Sequence, residues 1–275
     1  MSLVEELEFA ARIAREAGAV AMRFYHPSVL VERKHGGEPV TEADHAANNL
    51  IVEKIQERYP QDAVLAEESP PGDDRFEAHR VWMIDPLDGT KEFIARNGEF
   101  AVMIGLAVDG RPAVGAVYQP DGDILYLGAV GHGAWVERVP GERVPLAASR
   151  ETDTAKMKLA VSRSHKPKIV DEICKQLSIT HETPSGSVGL KIGMIATQRA
   201  DLYLHPSAGT KDWDTCAPEA IVHAAGGRIT DVFGAPLRYR EADVENRTGV
   251  VASNGMAHER IIEVVAPLCE HLRKA

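Results

Sequence analysis

The stretch from Val81 to Phe93, VWMIDPLDGTKEF, restricts this chain more than any other part of it. Val81 to Ile84 is an apolar run with the length and composition of a buried strand. Asp85 stands where the run ends, and Pro86, with no N–H to donate, is expected to end the ladder there. Asp88 follows, then Gly89, which permits a tight backbone path. Thr90 is placed to start a short helix that Gly98 would close. Two carboxylates at a strand end, beside the exposed N–H groups of a helix N-terminus, make a place for hard cations with a phosphate next to them. Asp-x-x-Asp taken alone reads as a polar turn ahead of a capping threonine. The whole string DPLDGT is far more specific.

Charge and cysteine usage narrow the function. A net charge of −10 argues against a surface that neutralises a nucleic-acid backbone. It leaves room for a small phosphorylated substrate, because bound cations reverse the local sign. Cys174, Cys216 and Cys269 lie far apart and form no C-x-x-C pair, so no disulfide framework is expected. The start, MSLVEELEFAARIAREAG, is acidic and amphipathic and does not read as a signal peptide. No run approaches the roughly 18 apolar residues of a spanning helix. The expectation is a soluble, cytoplasmic protein.

Along the chain, apolar positions Leu3, Leu7, Ala10, Ala14, Ala17 and Ala21 predict a helix over 3–25. A short strand over 29–34 and a loop over 35–39 precede a second helix starting near Thr41. Thr41-x-x-Asp44 is close to a capping box, which gives Asp44 a structural reading as a cap. Asp62 to Ala66 reads as a strand delivering Glu67 and Glu68, and 70–79 as an acidic loop. Strand-like runs at 100–108, 112–118, 124–128 and 133–137 are separated by hairpin signals at Asp109-Gly110 and Asp121-Gly122. They predict an antiparallel sheet with helices on one side. Beyond residue 150 strands and helices alternate: strands at 159–162, 200–204 and 249–253, helices at 168–177, 187–198, 214–225 and 256–273. Asp214 is read as the N-cap of its helix.

DPLDGT resembles the core motif of the lithium-sensitive, Mg²⁺-dependent phosphatase superfamily, which includes inositol monophosphatase, fructose-1,6-bisphosphatase and 3′(2′),5′-bisphosphate nucleotidase. Its continuation Lys91-Glu92-Phe93, and the later run KDWDTCAPEAIVHAAGGRITD from Lys211 to Asp231, look most like the nucleotidase branch. The segment from Thr41 to Asp44, preceded by Lys34 and Pro39-Val40, resembles a third family motif. The resemblance covers roughly residues 5–270. It implies an α+β fold, a layered αβαβα sandwich, with an N-terminal subdomain over 1–145 bearing most metal ligands and a C-terminal one over 146–275 bearing substrate loops. A homodimer is implied by analogy alone.

Carried over residue by residue, the resemblance makes Glu67, Asp85, the carbonyl of Leu87, and Asp88 ligands of one Mg²⁺. Asp214 joins Asp85 and Asp88 around a second, with about two or three ions per site. Thr90, hydrogen-bonded to Asp44 and assisted by Glu67, would position and deprotonate the attacking water. Gly89, Thr90 and Asp214 would meet the substrate, with Ser162 and His165 on one loop and Ser187 and Lys191 on another. Read without the resemblance, His165 and Lys191 are ordinary surface polar residues. Cys216 reads as packing. The implied reaction is hydrolysis of 3′-phosphoadenosine 5′-phosphate, or of 3′-phosphoadenylyl sulfate, in sulfur metabolism. Glu38 and the Gly36-Gly37 pair depart from the family pattern near a third metal, and Ser187 stands where glycine is common. The alternatives are an inositol or sugar phosphatase on the same metals, and a non-catalytic metal-binding regulator.

Overall fold

The computed structural model describes residues 3–26, 30–33, 39–69, 78–163, 166–239 and 243–274. The expectations for His165, for Lys34 and Gly36 to Glu38, and for most of the acidic loop lie outside these residues. The elements in order are α1 (Val4–Met22), β1 (Val31–Arg33), β2 (Pro39–Thr41), α2 (Glu42–Arg58), β3 (Ala63–Ala66), β4 (Arg80–Asp88), α3 (Thr90–Ala95), β5 (Ala101–Val108), β6 (Arg111–Gln119), β7 (Ile124–Ala129), β8 (Gly133–Glu137) and β9 (Arg143–Leu146). They continue with β10 (Lys158–Ser162), α4 (Lys168–Leu177), β11 (His181–Ser185), α5 (Val188–Ala196), β12 (Leu202–His205), α6 (Asp212–Ala224), β13 (Arg228–Thr230), β14 (Val250–Ser253) and α7 (His258–Leu268).

Strands β3 to β9 form one sheet in sequence order, with β3 parallel to β4 and the remaining pairs antiparallel. Alternate residues of a strand face opposite ways, and both faces here are apolar. Val102, Ile104 and Leu106 of β5 pack with Leu7 and Ile13 of α1 and Ile51 and Ile55 of α2. Ala101 and Met103 pack with Leu190 of α5 and with Ala217 and Ile221 of α6. Helices therefore cover both faces, correcting the one-sided expectation. The unbroken run FAVMIGLAV is what a strand buried on both faces looks like.

The second sheet has the order β11-β10-β12-β14-β13. Ala160, Tyr203, Val250 and Ala252 on one face meet Ile192, Ile195, Cys216 and Val222 of α5 and α6. Leu159, Leu202 and Val251 on the other meet Val170, Ile173, Ile261 and Val265 of α4 and α7. The five layers are α1/α2, sheet, α5/α6, sheet and α4/α7, the αβαβα sandwich. We retain the division at 145/146 as a proposal about chain organisation; the middle helices serve both sheets.

The middle helix α6 lies directly on strand backbone. Gly105, Gly115 and Gly128 pair across β5, β6 and β7 and make a trough. A Cβ on Gly115 would stand 2.1 Å from the Ala217 carbonyl oxygen, and one on Gly128 2.5 Å from Ile221 Cα.

Four further expectations change. The ladder of β4 resumes after Pro86: Asp85 pairs Met103 and Asp88 pairs Ala101 across a register shift, because a bulge tolerates a residue without an N–H. Arg96, at φ 53°, closes α3 ahead of Gly98. Asp214 is not the N-cap of α6, which is Lys211; it is the third helical residue, and its Oδ2 accepts from the Lys211 N–H at 2.7 Å. The short strands β2, β9, β11 and β13 have no counterpart in the sequence reading.

Candidate active site

Two strand ends build the floor of the site. Strand β3 runs parallel to β4 with Ala66 opposite Ile84, and the Glu67 N–H donates to the Ile84 carbonyl at 3.0 Å. One residue further, Glu67 comes alongside Asp85. Asp85 is 2% exposed, and its Oδ1 accepts from the Leu87 N–H at 2.9 Å across the bulge. Burial pushes its carboxyl well above the usual carboxylate range, and the negative charges of Glu67, Asp88 and Asp214 push the same way. Gly89 turns the chain at φ 96° into the first turn of α3, headed by Thr90.

These four carboxylates and the Leu87 carbonyl offer only oxygen donors, the set suited to a hard divalent cation. A buried carboxylate raised by three others is a place where a cation relieves repulsion, so the residues fit a metal by chemistry. In the arrangement seen, no three His, Cys, Asp or Glu side chains among the described residues stand as a closed ligand set. One reason is visible at Asp88, both of whose oxygens are turned to α5. Its Oδ1 accepts from the Val188 N–H at 3.1 Å, and its Oδ2 from the Gly189 N–H at 2.7 Å and from the Ser187 hydroxyl.

Asp44 makes both of the contacts foreseen for it. Its Oδ2 accepts from the Thr41 N–H at 2.8 Å and from the Thr41 hydroxyl at 2.6 Å, while the Thr41 hydroxyl accepts from the Ala43 N–H at 3.2 Å. Its Oδ1 lies 3.2 Å from Thr90 Oγ1, which is also 3.3 Å from the Leu87 carbonyl. Having one proton, Thr90 can donate to only one of these at a time. A turn along the same face of α2 stands Asn48, 2% exposed, whose Nδ2 donates to Ser69 Oγ at 2.9 Å and whose Oδ1 finds no partner among the described residues. This tie between α2 and the Glu67-Glu68-Ser69 turn was missed. Only the i, i+4 spacing from Asp44 hinted at it.

The substrate residues divide. Ser162 ends β10 opposite Ser185 of β11. Its neighbour Arg163 pairs with both oxygens of Glu99, linking the tip of the second sheet to the first half of the chain. Ser187 and Lys191 are not on an open loop: they are 1% and 2% exposed. Lys191 Nζ donates to the Gly186 carbonyl at 2.5 Å and lies 5.5 Å from the centre of the Tyr203 ring. Burial lowers its pKa, and Asp88, Glu92, Glu99 and Asp214 pull it back up. The surface reading of Lys191 is thus overturned. Cys216 is fully buried with its thiol pushed well up, and its Sγ is among the atoms that a Cβ on Gly105 would meet, as packing requires.

Residues 2–269 match the profile described as the inositol monophosphatase family. Among proteins of similar sequence, the 3′(2′),5′-bisphosphate nucleotidase CysQ of Salmonella typhimurium is 40% identical over 237 residues, spanning 85% of this chain and 93% of that protein. Among solved structures, an inositol monophosphatase from Anabaena superposes with a TM-score of 0.79 at 28% identity, covering 97% of each chain. The Thermotoga maritima IMPase superposes with a TM-score of 0.80 at 25% identity, over 98% of this chain and 99% of that one.

Proposed function

The chain belongs to the inositol monophosphatase family, and from that premise we propose that it is a 3′(2′),5′-bisphosphate nucleotidase, hydrolysing 3′-phosphoadenosine 5′-phosphate to AMP and phosphate. The observation that carries the chemistry is Asp85, a carboxylate almost without solvent and surrounded by Glu67, Asp88 and Asp214. Likeness to a nucleotidase over nearly that relative's whole length supports the substrate.

Glu67, Asp85, the Leu87 carbonyl, Asp88 and Asp214 would hold magnesium. When bound, the ions polarise the phosphoryl group, acidify a water and neutralise charge on the departing oxygen. The chain's own part is positioning. Asp44 Oδ1 accepts a hydrogen bond from the Thr90 hydroxyl, so that a lone pair of Thr90 Oγ1 can accept a hydrogen bond from the attacking water and orient it. Thr41 holds Asp44 in place from the other side with two donors. The bond broken joins phosphorus to the ribose 3′ oxygen, which leaves as an alcohol. Ser162, His165 and Lys191 are proposed to bear on the nucleotide, Lys191 from a buried position near Asp88 and Asp214.

We further propose lithium sensitivity, a place in sulfur metabolism, a homodimer, and a cytoplasmic setting in keeping with three unpaired cysteines. Among the described residues no helix is long and apolar enough to cross a membrane. The test is magnesium-dependent phosphate release from 3′-phosphoadenosine 5′-phosphate, inositol 1-phosphate and fructose 1,6-bisphosphate, ranked by kcat/KM. A lead of a hundredfold for the nucleotide, about 2.7 kcal/mol in transition-state binding, is the expected result. A lead for inositol phosphate keeps the metal chemistry and overturns the substrate. The solved inositol monophosphatases of the same fold make that the second reading. Magnesium binding with no release from any substrate would instead mark a non-catalytic regulator.

A further inference from the structure

We propose that Ser187 is a positioning residue for the metal site, acting through Asp88, and not a contact of the nucleotide. The inference rests on the reading above in one respect, that Asp88 is a metal ligand.

The argument starts from what each atom of Ser187 is already doing. Its hydroxyl donates to Asp88 Oδ2 and accepts from the Leu190 N–H at 3.0 Å. Its own N–H donates to the Glu99 carbonyl at 3.2 Å. With its single hydroxyl proton given to Asp88, Ser187 has none left to offer a ligand. As the N-cap of α5 it would ordinarily serve only its own helix. Here it also reaches a carboxylate that comes from the end of β4, ninety-nine positions earlier in the chain.

The effect on Asp88 is specific. A carboxylate has roughly four lone-pair directions, and Ser187, Val188 and Gly189 take three of them. What is left is one direction, room for one ion and not for the two that family likeness assigned to Asp88, and α5 decides which. Hydrogen bonds to an ionised acceptor are among the stronger ones, and the N-terminal end of a helix favours negative charge beside it. Ser187 therefore helps hold Asp88 in one rotamer. The start of α5 lies close to β5, where a Cβ on Gly189 would meet Met103 Sδ. Outer partners that orient metal ligands typically change metal affinity by about 10- to 100-fold when removed.

The experiment compares the full-length wild type with Ser187→Ala, Ser187→Thr and Asp88→Asn. Mn²⁺ binding is measured by electron paramagnetic resonance without substrate, and the Mg²⁺ dependence of phosphate release is measured alongside it. Folding of each variant is followed by circular dichroism. The expected result for S187A is Mn²⁺ affinity weaker by about tenfold or more and a matching rise in the Mg²⁺ concentration for half activity. Its substrate KM should return to the wild-type value once Mg²⁺ saturates. S187T, which keeps the hydroxyl, should recover most of the metal affinity. Wild-type Mn²⁺ affinity in S187A with a raised substrate KM at every Mg²⁺ concentration would restore the substrate-contact reading and overturn the proposal. A lower melting temperature with no change in metal affinity would reduce Ser187 to a helix cap and overturn it equally. If D88N binds Mn²⁺ like the wild type, the metal assignment itself falls, and the proposal with it, by a result the S187A data cannot produce.

Discussion

Asp44 has its two oxygens on different business. One closes a capping box with Thr41 and the other meets Thr90. Losing a cap costs about 0.5–2 kcal/mol, whereas losing a group that orients or takes a proton costs about 10²- to 10⁴-fold in rate. Asp44→Ala should therefore lower the melting temperature by a few degrees and kcat by at least the lower of those factors. A fall in melting temperature alone, with kcat kept, would leave the cap as its whole role. A second carboxylate stands outside the chemistry. Glu219 of α6 is 1% exposed, accepts a hydrogen bond from the Tyr239 hydroxyl, and is pushed up to about 8 by burial. The folded protein holds this proton where the unfolded chain has released it. Its contribution to stability is thus complete below the ordinary glutamate range and is lost as pH rises toward 8. Glu219→Gln, which cannot ionise, should match the wild type in acid and gain on it up to about pH 8 in thermal unfolding, levelling off beyond. A gap independent of pH would mean that Glu219 is ionised in the fold. Asp44, Asp85, Asp88 and Asp214 were legible because the motif strings carry them, and Glu67 because it follows a strand upstream of DPLDGT. The burial of Ser187 and Lys191 was not, since nothing in SVGLK says which sides of the helix meet protein.

At the scale of elements, the long helices and the hairpins were legible from period and turn chemistry. Asp109 and Gly110 both take positive φ, as a tight hairpin turn requires. Strand β11, HETPS, was not legible: it is short, polar and at a sheet edge, and only its pairing with β10 makes it a strand. Pro86 misled because a proline signals the loss of one ladder bond, and the sequence does not reveal that the ladder resumes beyond the bulge. The glycine row is hidden for a similar reason, since Gly105, Gly115 and Gly128 become neighbours only once register is known. It is nonetheless what seats α6. Gly115→Ala puts a methyl carbon against the Ala217 carbonyl, backbone that cannot rotate away. Overpacking of this kind costs about 1–3 kcal/mol, or about 2–4 °C of melting temperature per kcal/mol in a chain this large. Activity should fall further than stability, because Asp214 rides on the displaced helix. A variant that is less stable yet fully active would detach the trough from the site.

For the whole molecule, the layered sandwich follows from apolar surface on both sheet faces and on both flanks of the middle helices. The five-layer order came from family likeness; residue periodicity alone suggested one-sided cover. The carboxylates come from strand ends on one side of the middle layer and from α6 within it, with α5 holding Asp88. Helices that meet a sheet through interlocking side chains can slide by an ångström or so as rotamers exchange. A helix resting on bare strand backbone lacks that bearing surface, so α6 has little room to adjust to what is bound. Differences in the shape of the leaving alcohol are then expected to be absorbed outside the layer that carries the charge. In a scaffold arranged this way, a change of substrate is a change of edge residues around a core that does not give.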